Sequence, residues 1–372
     1  MTQKILHTGD IHLGMTYNNR GYPEGVKNEL VEARFQTLAG LVELANREEC
    51  GLFLVAGDLF HRTNVPRQTI LRALEILAAF EGNCVAVLPG NHDYGDEFST
   101  LWKTFRETAP DNVLLLDRTM PYDLGEFNLE MILFPAPCHS KHSGENRLGW
   151  IRELGERPSG LHIGVAHGSV KGVSPDFDDR YFPMETRELV ELGLHHWCLG
   201  HTHVPYPERE LTRESPFTYC GTPEADGFDC RHNGFARITM LDEQGSLESR
   251  SIVTGRFNFG ERYKEVKGLD DLLELERELA NRGENSLLKL VLSGTLPRDE
   301  YDARWEILER IRDALTYLEL DETSLCVEIT ERTIAEEFAK ESFPFLLLSR
   351  LAEKGEMEAL QAAYQMIKKV SK

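Results

Sequence analysis

The sequence predicts a four-layer α/β/β/α sandwich, followed by a small α/β cap domain and C-terminal helices. Over about the first 200 residues, short apolar runs alternate with amphipathic helical stretches, and polar motifs follow the apolar runs directly. From Val113 onward, strand-like runs become more frequent. Such alternation is typical of layered α/β domains. Because ligand sites in open α/β sheets form at the carboxyl ends of strands, the polar motifs are expected at one edge.

Periodicity defines the elements of the first hundred residues. The predicted strands are Ile5–His7, Leu52–Ala56 and Val85–Leu88. The predicted helices cover about Asn28–Glu49 and Gln68–Phe80, and the second begins just after Pro66, a helix-start signal.

The strand-like runs from Val113 onward suggest a second sheet packed on the first. These runs are Val113–Leu116, Leu129–Phe134, His162–Ala166, Trp197–Leu199, Phe217–Tyr219, Ala236–Met240 and Ser249–Val253.

A domain boundary is expected near Gly255–Tyr263, where the pattern changes to that of a small α/β cap. Its predicted elements are Tyr263–Val266 (strand), Leu269–Asn281 (helix), Leu287–Leu292 (strand), Arg298–Tyr317 (helix) and Leu325–Ile329 (strand). The final segment has the pattern of two helices, whose apolar faces either pack on the chain's own core or dock on a partner. The predicted domains are therefore residues 1–258, 259–333 and 334–372.

Composition limits the class of protein. The chain has 372 residues, 41% of them hydrophobic, and a formal net charge of −21. It contains no apolar run of membrane-spanning length, and its first residues lack the apolar stretch of a signal peptide, so a cytoplasmic location is expected. The seven cysteines form no C-x-x-C pair and are expected to be reduced. The acidity argues against a nucleic-acid enzyme, which usually carries a basic surface.

Five short motifs carry ligand-type side chains. They are Gly9-Asp10-Ile11-His12, Gly57-Asp58-Leu59-Phe60-His61, Gly90-Asn91-His92-Asp93, His167-Gly168 and Gly200-His201-Thr202-His203. Each one alone is usually a turn, but their ordered occurrence, each after a strand, predicts a dinuclear metal site. Mixed carboxylate and imidazole ligands suit manganese, iron or zinc. Two cations about 3.5–4 Å apart can activate water and hold a phosphodiester for in-line displacement.

The ordered motifs resemble the signature of calcineurin-like metallophosphoesterases, and within them the SbcD-type DNA double-strand-break repair nucleases. The opening run His7-Thr8-Gly9-Asp10-Ile11-His12-Leu13-Gly14 resembles the H-T-x-D-x-H-L-G of that branch, and Tyr219-Cys220-Gly221-Thr222-Pro223 resembles its Y-x-G-S-P. Gly9 and Thr222 depart from the commoner residues, but neither change removes a ligand. The resemblance covers about residues 1–255.

The resemblance implies a role for each site residue. The first metal would be bound by Asp10, His12, Asp58 and His203, and the second by Asp58, Asn91, His167 and His201. Asp58 would bridge the two ions. His92 would contact the scissile phosphate, and Asp93 would orient His92. His61, beside Asp58, is a candidate substrate contact. Manganese is the usual metal of the family, with Mg²⁺, Fe or Zn as alternatives.

By resemblance, the expected activity is that of a manganese-dependent DNA nuclease, a 3′–5′ exonuclease on duplex ends and an endonuclease on single strands. The expected partners are DNA, an SbcC-like coiled-coil ATPase and a second copy of the chain. The alternative is a phosphodiesterase or phosphatase for small molecules or phosphoproteins with the same site, which the acidity favours. A non-catalytic scaffold would have lost ligands, and here all seven, with His92, are present.

Overall fold

The computed structural model of the protein describes residues 2–95, 99–208, 211–212, 215–242, 247–280 and 285–370. Its contacts divide the chain into two units. The first is Met1–Gly260 with Asn285–Leu287, and the second is Glu261–Glu284 with Leu288–Lys372. All five motifs belong to the first unit.

In its described residues, the first unit contains short strands, five α-helices and a 3₁₀ helix at Leu124–Phe127. The strands are β1 (Gln3–Thr8), β2 (Leu52–Ala56), β3 (Cys84–Leu88), β4 (Val113–Leu115), β5 (Tyr122–Asp123), β6 (Met131–Ala136), β7 (Leu161–His167), β8 (His196–Gly200), β9 (Leu211–Thr212), β10 (Phe217–Tyr219), β11 (Phe235–Leu241) and β12 (Leu247–Val253). The helices are α1 (Glu24–Arg47), α2 (Arg67–Ala78), α3 (Thr100–Thr108), α4 (Gly149–Glu153) and α5 (Thr186–Glu191).

These strands form two sheets. One has seven strands in the order β4-β3-β2-β1-β11-β12-β9, and the other has five in the order β10-β8-β7-β6-β5. The expectation that all strands from Val113 onward form the second sheet is wrong for three of them. Strand β4 pairs parallel with β3, β11 pairs antiparallel with β1, and β12 pairs antiparallel with β11. These three strands therefore extend the first sheet.

The two sheets and their helices form the predicted four layers. Alternate side chains of a strand point to opposite faces of its sheet. Leu6 therefore packs in the core that the first sheet shares with α1, α2 and α3, whereas Ile5 packs with Ile163 between the sheets. On the outer face of the second sheet, Trp197 packs with Leu189 of α5. Full burial of such a side chain stabilises the fold by about 1.5–3 kcal/mol.

Among the described residues, the second unit contains most of a three-stranded sheet and five helices. Its elements are β13 (Asn258–Val266), α6 (Leu269–Ala280), β14 (Ser286–Leu296), α7 (Arg298–Asp313), β15 (Tyr317–Val327), α8 (Glu331–Glu337), α9 (Phe343–Glu353) and α10 (Met357–Val370). The strand order is β13-β14-β15. The predicted helix to Tyr317 ends earlier, at Asp313, and the predicted strand Leu325–Ile329 instead runs from Tyr317 to Val327.

The C-terminal segment has three helices rather than two, and they share a small core of their own. Ile334, Leu348 and Leu360 are buried together there. Large apolar side chains remain exposed on α9 and α10, including Leu346 at 57% and Met366 at 69%. No helix in the described part of the chain is long and apolar enough to cross a membrane. The division of this unit into residues 259–333 and 334–372 stays a prediction.

Candidate metal centre

The five motifs meet because they follow five strands whose carboxyl ends lie at the same edges of the two sheets. Strands β1, β2 and β3 are mutually parallel and end just before Asp10, Asp58 and Asn91. Strands β7 and β8 are also parallel and end at His167 and just before His201. The side chains of all seven predicted ligands converge at this edge, as the distances between their atoms show.

One group of atoms surrounds the carboxamide of Asn91. Asn91 Oδ1 lies 3.0 Å from His167 Nε2 and 3.2 Å from His201 Nδ1. His167 Nε2 also lies 3.3 Å from Asp58 Oδ2. The opposite ring nitrogen, His167 Nδ1, contacts the carbonyl oxygen of Ala56 at 2.8 Å. That contact fixes the ring orientation, so Nε2 faces the other ligand-type atoms.

A second group of atoms joins the first and last motifs. His12 Nε2 lies 3.4 Å from His203 Nε2 and 3.8 Å from Asp58 Oδ2. Asp10 Oδ1 lies 3.7 Å from His203 Nε2. Asp58 therefore belongs to both groups, as a residue that bridges two ions must.

Four of these residues have positive φ angles. The φ angles are 52° at Asp10, 54° at His12, 53° at Asp58 and 97° at His201. Such angles are uncommon outside glycine and concentrate at functional sites. Gly57 has a φ of 93°, and a Cβ there would lie 2.1 Å from His167 Nδ1. At Gly90, a Cβ would lie 2.2 Å from Asp58 Oδ1. A side chain at either glycine would therefore collide with a ligand-type side chain of the cluster.

Two carboxylates are buried side by side in this cluster, and each perturbs the other. Burial raises the pKa of Asp10, and the nearby charge of Asp58 raises it further. Burial alone would also raise the pKa of Asp58, but His167, with His12 and His92, holds it below its usual value. The two carboxylates differ because His167 Nε2 lies closer to Asp58 (3.3 Å) than to Asp10 (4.0 Å). A buried pair of acids requires compensating positive charge.

Several atoms of the cluster are suited to bind cations. The Asp10 Oδ1 and His12 Nδ1 atoms are buried and have no hydrogen-bond partner among the described residues. Burial lowers the pKa of His12 and lowers that of His201 to about 3. Both rings are therefore neutral, which is the form that ligates metals. Ligand atoms of Asp10, His12 and His203, and of Asp10, Asp58 and His167, lie within 4.8 Å of one another. The residues present fit a pair of divalent ions.

His92 stands beside this cluster. Its ring centroid lies 4.8 Å from that of His12, and its Nδ1 lies 3.1 Å from the carbonyl oxygen of His61. The His92 backbone N–H donates to Asp58 Oδ1 at 2.8 Å. The ring centroid of His61 lies 5.4 Å from those of both His12 and His92. The imidazole of His92 is thus held on one nitrogen, which leaves Nε2 for a substrate.

Asp93 holds the loops rather than the ring of His92. Its carboxylate accepts from the backbone N–H of Phe60 at 2.9 Å and of Gly90 at 2.7 Å. Burial, with the charge of Asp58, raises the pKa of Asp93 to about 8. The carboxylate of Asp93 therefore joins the backbone of the second motif to that of the third.

Three residues that the sequence analysis did not single out also support the cluster. Buried Arg34 donates from Nη1 to the carbonyl oxygen of Ile11 at 2.7 Å, between Asp10 and His12. Asp226 Oδ2 lies 3.7 Å from His203 Nδ1. His232 Nε2 lies 2.8 Å from the carbonyl oxygen of His203.

One sequence signal could have revealed Arg34. It lies four residues from both Leu30 and Leu38, on the buried stripe of α1, where a charged side chain needs a partner.

The loop after the fourth motif, between Lys171 and Pro183, reaches the cluster through a tyrosine. The rings of Tyr181 and His201 lie 4.8 Å apart between centroids. Two acidic side chains of this loop contact other residues of the loop. Asp176 accepts from the backbone N–H of Tyr181, and Asp179 pairs with Lys171.

Comparisons with known proteins agree with this geometry. The sequence profile of the calcineurin-like phosphoesterases matches residues 3–205, a span that contains all five motifs. The uncharacterized metallophosphoesterase YhaO of Bacillus subtilis (strain 168) is 25% identical over 336 residues, which cover 86% of this chain and 78% of YhaO. The DNA double-strand break repair protein Mre11 of Saccharolobus solfataricus is 25% identical over 391 residues, covering 99% of this chain and 95% of that protein.

Other similarities are partial or distant. The Mre11 protein of Aeropyrum pernix is 25% identical over 231 residues, which are 59% of this chain and 53% of that one. The crystal structure of TT1561 of Thermus thermophilus is 12% identical, with a TM-score of 0.41 over 67% of this chain and 99% of that chain. A dimetal phosphatase from Danio rerio is 12% identical, with a TM-score of 0.36 over 68% of this chain and 99% of that chain.

The family profile spans more than half of the chain, and the matched residues run through every motif from Asp10 to His203. The protein belongs to the calcineurin-like phosphoesterase family, and its candidate dinuclear site is that of a phosphoester hydrolase.

Proposed function

We propose that the protein is a manganese-dependent DNA nuclease, acting 3′–5′ on duplex ends and endonucleolytically on single strands. The observation that carries phosphoester hydrolysis is the convergence of seven ligand-type side chains around Asp58 with His92 beside them. The 25% identity to an Mre11 protein over almost the full length of both chains favours DNA as the substrate.

In this proposal Asp10, His12, Asp58 and His203 hold one ion. Asp58, Asn91, His167 and His201 hold the other. Two bound manganese ions would supply the charge that activates water and stabilises the developing negative charge on the phosphoryl oxygens. The 3.0–3.8 Å spacings within each group support the assignment, because atoms this close can share one cation.

His92 is the proposed proton donor. With Nδ1–H donating to the carbonyl oxygen of His61, a protonated imidazole presents its Nε2–H to the leaving oxygen of the strand. Asp93 keeps this geometry by binding the N–H groups of Phe60 and Gly90. His61, whose side chain lies beside His92, is a proposed substrate contact.

The proposed partners are an SbcC-like coiled-coil ATPase and a second copy of the chain. Exposed Leu346 and Met366 on α9 and α10 support the first, since an apolar helix face can dock on a coiled coil. A partner with basic surface would also offset the net charge of −21 during DNA binding. The homodimer rests on the family resemblance.

One observation favours a second candidate. A net charge of −21 repels polyanions, which suits a phosphodiesterase or phosphatase for small molecules or phosphoproteins. Both candidates use the same ligands and His92, so the metal site does not distinguish them.

The test gives the purified protein manganese with linear duplex DNA, single-stranded DNA or bis(p-nitrophenyl) phosphate. DNA degradation that falls about 10²–10⁴-fold in His92→Ala supports the nuclease, because general acid catalysis typically contributes that much. Exposed His195 provides the control variant, His195→Ala, which should retain activity. Cleavage of the aryl ester without cleavage of DNA, even with the ATPase added, contradicts the nuclease and favours the second candidate.

A further inference from the structure

A cavity of about 620 Å³ opens beside His92, on the side of His61. Besides these two histidines, its lining includes the cations Arg20, Arg62 and Lys141. Among the described residues that line it, none is a carboxylate. A polar, positively charged cavity therefore adjoins the proposed proton donor in a chain whose net charge is −21.

Several other cations of the first unit are paired with carboxylates. Arg72 pairs with Glu32, Lys171 with Asp179 and Arg250 with Glu48. By contrast, within the part of the chain that the structure describes, the side chains of Arg20, Arg62 and Lys141 are in neither an ion pair nor a hydrogen bond. In so acidic a protein, three unpaired cations around one cavity indicate a site for an anion.

The backbone ties two of these cations to the metal centre. The carbonyl oxygen of Lys141 accepts from Asn91 Nδ2 at 3.3 Å. Arg62 directly follows His61, whose carbonyl oxygen contacts His92 Nδ1. Their positions are therefore set by the same residues that form the candidate site.

A chain of hydrogen bonds connects the third cation, Arg20, to the first motif. The Arg20 N–H donates to the carbonyl oxygen of Tyr17 at 3.0 Å. The Tyr17 hydroxyl in turn accepts from Arg34 Nε at 2.8 Å. The same Arg34 binds the carbonyl oxygen of Ile11 in the first motif, so Arg20 is also connected to the metal centre.

We propose that this cavity is a subsite for a second, non-scissile phosphate of the substrate, bound by Arg20, Arg62 and Lys141. The inference rests on the proposed function and deepens it, since it assigns a strand with several phosphates rather than an ester with one. Exposed Asn18 and Asn19 line the same cavity and offer amides to the sugar or base of the flanking nucleotide. These cations can bind phosphates although the chain has a net charge of −21. They act on the phosphates at short range, whereas salt screens the repulsion from the more distant acidic residues.

The experiment measures competition rather than DNA cleavage. Hydrolysis of bis(p-nitrophenyl) phosphate with manganese is inhibited by an eight-residue oligothymidylate or by thymidine 5′-monophosphate. The ratio of the two inhibition constants reports recognition of additional phosphates. It is compared between the native chain, the variant Arg20→Gln/Arg62→Gln/Lys141→Gln, and a control, Arg47→Gln/Arg157→Gln/Arg250→Gln.

The control removes the same charge from the opposite edge of the sheets. Arg47 is the last residue of α1, just before β2, and Arg157 precedes β7. Arg250 pairs with Glu48 beside Arg47. Arg47 and Arg157 therefore lie toward the amino ends of strands whose carboxyl ends carry the motifs, and the Arg250 side chain reaches that end through Glu48.

In the native chain we expect the oligonucleotide to inhibit more strongly than the monophosphate. The cavity variant should lose that preference about tenfold, and its slope of log affinity against log salt should fall by about 0.7, since it loses the contact with one phosphate of a single strand. The control should keep both the preference and the slope. If the cavity variant does not fold, Arg62→Gln and Lys141→Gln alone should each weaken the preference and lower the slope.

The subsite is overturned if the cavity variant keeps the native preference for the oligonucleotide and the native salt slope. It is also overturned if the native chain does not prefer the oligonucleotide to the monophosphate. The nuclease proposal fails separately. If the native chain does not cleave DNA but the cavity variant still loses the preference, the subsite stands and the activity on DNA does not.

Discussion

The Nε2 atoms of His12 and His203 lie 3.4 Å apart, although 191 positions separate the two residues in the sequence. Two imidazole nitrogens this close attract each other only when a proton or a cation lies between them. The same holds for Asp10 and Asp58, buried carboxylates that repel each other. The fold therefore holds ligand-type side chains close together, and bound metal should stabilise it.

Metal should raise the thermal stability of the protein. Ligand at one hundred times its dissociation constant adds about 2.7 kcal/mol per site, which corresponds to a rise in Tm of about 5–10 °C for a unit of this size. Asp58→Asn removes a charge shared by both ion positions and should abolish most of the rise. Scanning calorimetry with EDTA or manganese measures it. The exposed Asp111→Asn is the control, and an equal rise in both variants contradicts the bridging role of Asp58.

Arg34 should stabilise the fold and the first motif together. Arg34→Met leaves the Ile11 carbonyl oxygen and the Tyr17 hydroxyl without their donor. The free energy of unfolding should fall by about 2–4 kcal/mol, because each buried unsatisfied group costs about 1–3 kcal/mol. Manganese affinity should fall as well, since Ile11 separates Asp10 from His12. Urea unfolding in EDTA and a manganese titration give the two values.

The matched control for Arg34 is Arg47→Met, an exposed arginine at the end of the same helix. It should change stability by less than about 0.5 kcal/mol. Equal effects of the two substitutions would argue that Arg34 contributes only its hydrocarbon chain.

Acid should destabilise the metal-free protein through two buried histidines away from the metal. Burial lowers the pKa of His7 and of His196 to about 3. The unfolded chain, with a pKa of about 6.5 at each histidine, therefore binds more protons below that pH. Stability is complete above about pH 6.5 and is lost as the pH falls toward 3. Each histidine should cost about 2 kcal/mol between pH 7 and pH 5.

The test of this pH dependence is His196→Gln, which can keep the contact with Thr218 Oγ1 that His196 Nε2 makes at 3.0 Å. Urea unfolding in EDTA at pH 7 and pH 5 should show a loss about 2 kcal/mol smaller than in the native chain. His195→Gln, at the exposed neighbour, should change the loss much less. An unchanged loss in His196→Gln would mean that His196 is already charged in the folded state.

The helices α9 and α10 should carry the contact with the ATPase partner. Leu346→Glu with Met366→Glu places charges on the exposed apolar face, and affinity for a purified SbcC-like ATPase should fall about tenfold or more. The fold should persist because both side chains are largely exposed. Val190→Glu, at an apolar residue 58% exposed in the first unit, is the control. Equal binding by all three chains contradicts the proposal.

The sequence predicted the four layers because periodicity is a local property. It did not predict which sheet β4, β11 and β12 join, since that depends on pairing between distant segments. The register of His7 with Arg237 across β1 and β11 is an example. In the cap, the helical pattern continued past Asp313, so the start of β15 at Tyr317 was missed.

The ligand-type residues could be predicted because each follows a strand in a short motif. Of their supporting residues, only Arg34 carries a local signal, its place on the buried stripe of α1, whereas nothing local marks Asp226 or His232. Asp226 reaches His203 only after the chain has passed through β10. The role of Asp93 also depended on the structure, which shows its carboxylate on the N–H groups of Phe60 and Gly90.

The central claim is that two cations share Asp58. Crystals of the protein grown or soaked with manganese, and measured at the manganese absorption edge, test it most directly. We expect two anomalous peaks, one within ligand distance of Asp10, His12 and His203 and the other of Asn91, His167 and His201, with Asp58 contacting both. A single peak, or peaks away from Asp58, would contradict the account.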